Sequence, residues 1–177
     1  ILIQFSIKSI IIGLCSFPII LLYPLMKRFT YWPQLFLGIA FSWGVLIASV
    51  ELYGSIKFDY FLLYLACIFW TIGYDTIYAY QDREDDIRNN VKSTAVLFGE
   101  KGKLFVRFCY FFMIILISYL SWKSSESLVS LGVIILILIG INILINKWEP
   151  NSVQSSSYYF KKNNLLGGVI FLYLLFF

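Results

Sequence analysis

The 177-residue chain is 60% hydrophobic and 20% aromatic, with 14% charged residues and a formal net charge of +4. This composition lies far from that of soluble domains and is typical of an integral membrane protein. The chain has no histidine, which excludes histidine-based catalysis and histidine metal sites within it, and the small positive charge gives no reason to invoke a nucleic-acid partner.

Long apolar segments, separated by charged or polar residues, predict the secondary structure in chain order. A helix needs about 20 apolar residues to cross a bilayer. Six segments approach this length, the fourth if Arg107 snorkels to the interface and the last if it is short or tilted. The predicted fold is therefore all-α, a multi-pass transmembrane bundle of about six helices, with the run Ser152–Ser157 as a polar loop. The six segments are Ser9–Met26, Phe29–Val50, Tyr60–Gln81, Leu104–Trp122, Ser127–Asn146 and Asn163–Phe177.

The lysines and arginines are distributed unevenly between alternate loops. Eleven fall on one predicted side of the membrane, and three (Lys8, Lys57 and Lys123) fall on the other. The positive-inside rule assigns the richer side to the cytoplasm, or to the matrix in a mitochondrion. Two polar segments, the Lys27–Arg28 turn and the acidic run after Tyr74, are therefore expected at the same mouth of the bundle.

The segment Tyr74–Gly99 is the most informative part of the chain because it concentrates half of the acidic residues. If the helix that begins near Tyr60 continues to about Ile87, then Asp75, Asp82 and Asp86 share one face at i, i+7 and i+11. Magnesium would relieve their repulsion, since it prefers oxygen ligands and bridges carboxylates to phosphates. A solvated helix end can carry the same run, but Asp75 is costly so near the apolar region and indicates function. The acids are Asp75, Asp82, Glu84, Asp85 and Asp86.

The second polar segment places Lys27 and Arg28 between two prolines, Pro24 and Pro33. A guanidinium group can bind a carboxylate or a phosphate bidentately, which makes Arg28 a candidate substrate-binding residue. An ordinary positive anchor between two helices has the same pattern. Lys92, just beyond the acidic run, has the same two interpretations, a contact to phosphate or an interfacial anchor.

Both segments resemble the UbiA family of membrane prenyltransferases, and within it the 4-hydroxybenzoate polyprenyltransferases. YDTIYAYQDREDD followed by KSTAVLFG is similar to that branch's second aspartate motif, a DxxxD carried here by Asp82 and Asp86. YPLMKRFTYWPQ followed by LGIAFSWG is similar to its substrate-side loop, and the similarity extends along the whole chain. Ser42 departs from a common asparagine, and Asn90 departs from a common glycine before VKST. Asparagine tolerates left-handed backbone, so we expect the turn at Asn90 to survive.

The resemblance implies a nine-helix bundle in which two aspartate motifs hold magnesium and the diphosphate of an isoprenoid donor. The family's first motif, NDxxDxxxD, is absent from these residues, and its usual place is on the second helix. We therefore expect residues 1–177 to be a partial domain that covers helices four to nine. Half of the metal site would lie upstream, and the segment alone would be inactive.

The implied reaction is the magnesium-dependent transfer of a polyprenyl group from polyprenyl diphosphate to the 3-position of 4-hydroxybenzoate, in ubiquinone biosynthesis. It would take place in a bacterial or mitochondrial inner membrane. Asp82 and Asp86 would hold the metal and act in catalysis with Asp75. Substrate binding would fall to Arg28, which orients the benzoate carboxylate, and to Lys27, Lys92 and Tyr78. Two alternatives remain open, prenyl transfer to another acceptor such as a naphthoate or a haem, and a non-enzymatic transporter with an acidic mouth.

Overall fold

The computed structural model describes residues 4–125 and 127–176, and over these ranges the chain is built from helices. A short 3-10 helix, Gly99–Lys101, precedes the eighth α-helix. The ten α-helices of the described residues are α1 (Ile7–Cys15), α2 (Phe17–Phe29), α3 (Pro33–Phe41), α4 (Gly44–Tyr53), α5 (Phe58–Ala79), α6 (Arg83–Arg88), α7 (Thr94–Phe98), α8 (Gly102–Ser125), α9 (Leu128–Lys147) and α10 (Val153–Phe176).

Five helical stretches of the described chain are long and apolar enough to cross a membrane. The first two each combine a pair of helices, α1 with α2 and α3 with α4, and the fourth combines α7 with α8. They correspond to the first five predicted segments and confirm the all-α, multi-pass architecture. The stretches are Ile7–Phe29, Pro33–Tyr53, Phe58–Ala79, Thr94–Ser124 and Leu128–Lys147.

The sixth long helix, α10, begins ten residues earlier than the sequence predicted. The run Ser152–Ser157 is mostly helical, and its prediction as a loop was wrong. Ser152 precedes the helix and its hydroxyl accepts a hydrogen bond from the Ser155 backbone N–H at 3.2 Å, so the serine acts as a helix cap. The indole N–H of buried Trp148 donates to the Ser156 hydroxyl at 3.0 Å and fixes the start of α10 against the end of α9.

Helix α5 lies at the centre of the packing, in contact with α3, α4, α8 and α10. Where α5 crosses α8, a Cβ at Gly73 would lie 2.7 Å from Cε1 of Tyr110. Only glycine allows this separation, and small residues at such crossings are a common means of packing helices in membranes. The central position of α5 matters because the acidic segment follows directly from its C-terminal end.

Several polar side chains inside the bundle are paired across helices. Tyr110 of α8 donates to the amide oxygen of Asn163 on α10 at 2.5 Å, and both side chains are buried. The hydroxyls of Ser121 and Ser130 lie 2.7 Å apart between α8 and α9. Such pairing is needed where no water is present to satisfy polar groups.

Candidate active site

The acidic segment is not the single continuous helix from Tyr60 to Ile87 that would place its aspartates on one face. Helix α5 ends at Ala79, residues 80–82 form a turn, and α6 begins at Arg83. The buried Tyr80 side chain, whose hydroxyl donates to the carbonyl of Gly99, fixes the turn against a distant part of the chain. Acidic residues in the first turn of α6 suit the unpaired N–H groups there. The predicted face shared by Asp75, Asp82 and Asp86 is therefore interrupted after Asp75, whereas Asp82 and Asp86 remain one helical turn apart, with the Asp86 N–H donating to the Asp82 carbonyl at 2.8 Å.

Asp86 is turned inward by this break and is only 8% exposed. Burial raises the pKa of its carboxyl above the usual 3.8. A hydrogen bond from Ser93 and the positive charge of Lys27 lower the same pKa, while the negative charges of Asp82 and Asp85 raise it. Asp86 is thus a buried acid that interacts with Lys27 of α2, with Ser93 after α6 and with its neighbours Asp82 and Asp85.

The chain reverses direction directly after α6 and brings Ser93 back to Asp86. Asn90 has a φ of +54°, in the left-handed region, which confirms the expectation that asparagine supports the turn. The backbone N–H of Val91 then donates to the carbonyl of Asp86 at 2.8 Å. Ser93 also caps α7, since its hydroxyl accepts from the Val96 N–H at 3.3 Å.

The Lys27–Arg28 turn packs against this segment, as the charge distribution predicted. The Lys92 backbone N–H donates to the carbonyl of Lys27 at 2.9 Å, and its ammonium donates to the carbonyl of Phe29 at 3.2 Å. The same ammonium lies 5.6 Å from the ring centroid of Tyr31, a cation–π distance. Lys92 therefore ties the last turn of α2, which contains Lys27 and Arg28, to the segment after α6.

Lys27 is the cation that the two carboxylates share. Its ammonium is close enough to interact electrostatically with Asp75 on α5 and with Asp86 on α6. Tyr23, one helical turn before Lys27, interacts with Asp75, Tyr74 and Tyr78. The arrangement brings α2, α5 and α6 together around one charged cluster.

Of the other predicted residues, Tyr78 lies at the edge of this cluster, and Asp82 and Arg28 face outward. Tyr78 is 41% exposed, with its ring 5.0 Å from that of Phe160 on α10. Asp82 is exposed in the turn before α6. Arg28 is exposed in the last turn of α2, with no ion pair or hydrogen bond from its side chain recorded among the described residues.

The described residues contain no group of three or more carboxylates, cysteines or histidines close enough to hold a metal ion. The carboxylates that are present nevertheless suit a hard divalent cation that takes its remaining ligands from water and from the substrate. Asp82 and Asp86 supply carboxylate oxygens and repel each other, as the effect of Asp82 on the Asp86 pKa indicates. Magnesium commonly takes one or two carboxylates and completes its shell with water and substrate phosphate.

Four polar residues of the site, Gln34, Thr76, Ser93 and Thr94, were not predicted from the sequence. Buried Gln34 accepts from the Thr94 N–H at 3.2 Å, and the Thr94 hydroxyl lies 2.8 Å from that of Thr76, one residue after Asp75. Ser93 was missed as the hydrogen-bond donor to Asp86. For Ser93 the sequence carries a signal, a serine directly before a short helical pattern, whereas Gln34 and Thr76 lie in apolar segments and carry none.

Comparison with known proteins gives the following matches. Residues 1–165 match the UbiA prenyltransferase family. The mitochondrial 4-hydroxybenzoate polyprenyltransferase of Drosophila pseudoobscura pseudoobscura is 44% identical over 129 residues, which are 72% of this chain and 32% of that protein. The 4-hydroxybenzoate octaprenyltransferase of Pseudomonas putida (strain W619) is 50% identical over 84 residues, 48% of this chain and 28% of that protein.

The apo structure of a UbiA homolog from Aeropyrum pernix K1 is similar in fold. The TM-score is 0.70 at 20% sequence identity, over 97% of this chain and 66% of that one. The chain spans about a third or less of the length of the two curated relatives and about two thirds of the solved structure.

Proposed function

Because the chain belongs to the UbiA prenyltransferase family, we propose that it is part of an enzyme that transfers a polyprenyl group from polyprenyl diphosphate to the 3-position of 4-hydroxybenzoate, in ubiquinone biosynthesis. The names and identities of its relatives support this acceptor. The observation that carries the proposal is the docking of the Lys27–Arg28 turn onto the acidic segment through Lys92. It gathers anionic and cationic side chains at the end of an apolar bundle, where a lipid diphosphate presents its polar group.

We propose that this chain supplies one side of the site. The remainder, with the family's first aspartate motif, would come from helices that precede α1 in a nine-helix bundle. The positive-inside distribution supports a site that opens to the cytoplasm or the mitochondrial matrix.

Asp82 and Asp86 are the residues that we propose hold the metal, and magnesium is the ion that suits them. When bound, the ion would neutralise charge on the leaving diphosphate. Asp86 must be ionised to bind it. Lys27 and Ser93 favour this state because both stabilise the carboxylate.

The cations of the turn divide between the two substrates in our proposal. Lys27 and Lys92 bind the diphosphate, and Arg28 pairs with the benzoate carboxylate so that the ring carbon ortho to the hydroxyl faces the prenyl group. Tyr78 forms part of the aromatic wall beside the allylic carbon. Exposure of Arg28 at the mouth is consistent with a partner that arrives from water.

The reaction is an electrophilic aromatic substitution. The bond between the allylic carbon and the diphosphate oxygen breaks, and the diphosphate leaves with the electron pair. The ortho carbon of the ring forms a new bond to the allylic carbon and then loses its proton. We assign Asp75 as the acceptor of this proton, because it is the carboxylate of the cluster that lies on a membrane-spanning helix, beside Tyr23 and Lys27.

The test uses membranes that contain the complete gene product, supplied with a polyprenyl diphosphate and labelled 4-hydroxybenzoate, with and without magnesium. The expected result is a labelled, lipid-soluble 3-polyprenyl-4-hydroxybenzoate that forms only with the metal. Absence of product from folded, inserted protein would refute the acceptor, and a product from a labelled naphthoate instead would identify another one. Asp75→Asn should lower turnover and flatten its pH profile without weakening magnesium binding. An unchanged profile would remove Asp75 from the proton transfer.

A further inference from the structure

A groove of about 570 Å³ runs between α9 and α10. Its walls are apolar along most of their length, and several of its side chains are strongly exposed, including Leu136 at 68% and Leu165 at 66%. Gly140 lies in the groove, and a Cβ built there would meet no atom within 4 Å. The described chain therefore leaves an open apolar channel between α9 and α10.

One end of this groove is basic. Lys147, the last residue of α9, and Lys162 of α10 both line it, and neither forms an ion pair within the described residues. The ammonium of Lys162 lies 5.2 Å from the ring centroid of Tyr158, which also lines the groove. Helical side chains tilt toward the N-terminus of their helix, so Lys162 reaches back along antiparallel α10 toward the end of the groove where Lys147 lies.

Two cationic side chains of α8 lie near the same end of the groove. Lys103 donates to the backbone carbonyl of Asn146 at 3.1 Å, and Arg107 donates to its side-chain oxygen at 2.7 Å. Two further cations thus lie beside the residue that precedes Lys147. The side chains that line the groove include no carboxylate.

The length of the groove corresponds to one leaflet of a bilayer. Val133 and Lys147 are 14 residues apart on α9, about 21 Å along the helix axis. Half of a bilayer's hydrocarbon core is about 15 Å thick, and a headgroup accounts for the remaining distance. A groove that is apolar for most of this length and cationic at one end complements a phospholipid with an anionic headgroup.

We propose that the α9–α10 groove binds one anionic phospholipid from the surrounding bilayer, with its phosphate between Lys147 and Lys162 and an acyl chain along Gly140. The ammonium groups pair with the headgroup, and Tyr158 holds Lys162 in place from the side. This lipid site lies on α9 and α10, apart from the cluster of Asp75, Asp86 and Lys27, and it does not depend on the proposed reaction.

Isolated lysines at helix ends also reach into the headgroup region, so the test must separate a built site from general attraction. The purified, complete protein is titrated in detergent with phosphatidylglycerol or phosphatidylcholine of the same acyl chains, and bound lipid is counted by native mass spectrometry. Wild type should retain one phosphatidylglycerol at least tenfold more tightly than phosphatidylcholine. The double variant Lys147→Gln, Lys162→Gln should abolish this preference, whereas Lys147→Arg and Lys162→Arg should keep it.

The glycines supply a steric test with a matched control. Gly140→Leu should displace the lipid because the new side chain fills the groove, whereas Gly132→Leu, on the same helix and also facing open space, should retain it. Lys57→Gln is the charge control, since Lys57 also lies beside a tyrosine ring but precedes α5 at the opposite end of the bundle. Any one of three results would overturn the proposal. These are equal retention of the two lipids by the protein, binding of phosphatidylglycerol by Gly140→Leu as tight as by wild type, and displacement of the bound phosphatidylglycerol by an equimolar polyprenyl diphosphate.

Discussion

Substitution of Gly102 by alanine tests whether the turn before α6 is held by Tyr80. Gly102 has a φ of −56°, an ordinary helical value, so alanine introduces no backbone strain. Its Cβ would overlap the Tyr80 hydroxyl and lie 2.7 Å from Cε2 of the ring, well inside the usual contact distance of about 3.5–4.0 Å. Since Tyr80 is 3% exposed and packs edge-to-face on Trp148 at 5.1 Å, the ring has little room to move.

The cost follows from these contacts. Overpacking a buried position costs about 1–3 kcal/mol, and loss of the hydrogen bond from Tyr80 to Gly99 adds about 1 kcal/mol. We expect Gly102→Ala to lower the free energy of unfolding by about 2–4 kcal/mol and to weaken magnesium binding, because Asp82 lies two residues beyond Tyr80. The assay is equilibrium unfolding in mixed detergent micelles, followed by tryptophan fluorescence, with magnesium binding measured by calorimetry.

The matched control is Gly132→Ala, whose new Cβ would meet no atom within 4 Å. This variant should unfold within about 0.5 kcal/mol of wild type, as surface substitutions usually do. If Gly102→Ala unfolds like Gly132→Ala and binds magnesium normally, then Tyr80 does not hold the turn and our account of the helix break is wrong.

Three further predictions concern the charged cluster. Asp82→Asn and Asp86→Asn should each abolish turnover at every magnesium concentration, whereas Glu84→Gln should stay within about twofold of wild type, because the Glu84 side chain is 88% exposed and meets only Arg88. Retained activity in either aspartate variant would contradict the metal assignment. Because the pKa of Asp86 is raised, its neutral form favours folding below about pH 3.8, and this contribution to stability is lost as the pH rises through the raised pKa. Magnesium binds the ionised carboxylate. Its affinity should therefore begin to fall at a higher pH on acidification than it would with an ordinary carboxylate. Ser93→Ala should move that fall to higher pH, because the hydrogen bond from Ser93 lowers the pKa of Asp86, and an unmoved profile would show that Ser93 does not stabilise the carboxylate. Arg28→Ala should raise the KM for 4-hydroxybenzoate roughly tenfold or more and leave the KM for the polyprenyl diphosphate unchanged, and equal changes in both would refute its assignment to the benzoate carboxylate.

The spanning helices could be predicted because their signal is local. Each consists of about 20 apolar residues bounded by charge, and this composition fixes the helix wherever it packs. The left-handed turn at Asn90 was also predictable, since it depends on the conformational preference of one residue. The meeting of the Lys27–Arg28 turn with the acidic segment followed from the positive-inside rule, which orders loops without knowledge of contacts.

Other features depend on contacts between residues far apart in the chain. The end of α5 at Ala79 is fixed by Tyr80 and Gly99, and nothing between Tyr60 and Ile87 marks a stop. Helix α10 starts early because Trp148 anchors Ser156, so a serine-rich run that favours a loop by composition is helical instead. In both cases a tertiary contact overrides a local preference.

The break after α5 explains how the cluster can hold several carboxylates in a chain that has so few. The break at residues 80–82 separates Asp75 from this pair, but Asp82 and Asp86 remain one helical turn apart, because the Asp86 N–H donates to the Asp82 carbonyl at 2.8 Å. Within that helical turn, Asp86 lies inward near Lys27 and Ser93 and Asp82 is exposed, so that each acid has a different environment. Lys27 is supplied by α2 and held in position by the backbone contacts of Lys92. The charge balance of the site therefore depends on three segments, the Lys27 turn, the acidic run and the return through Lys92, which are adjacent only in the folded bundle.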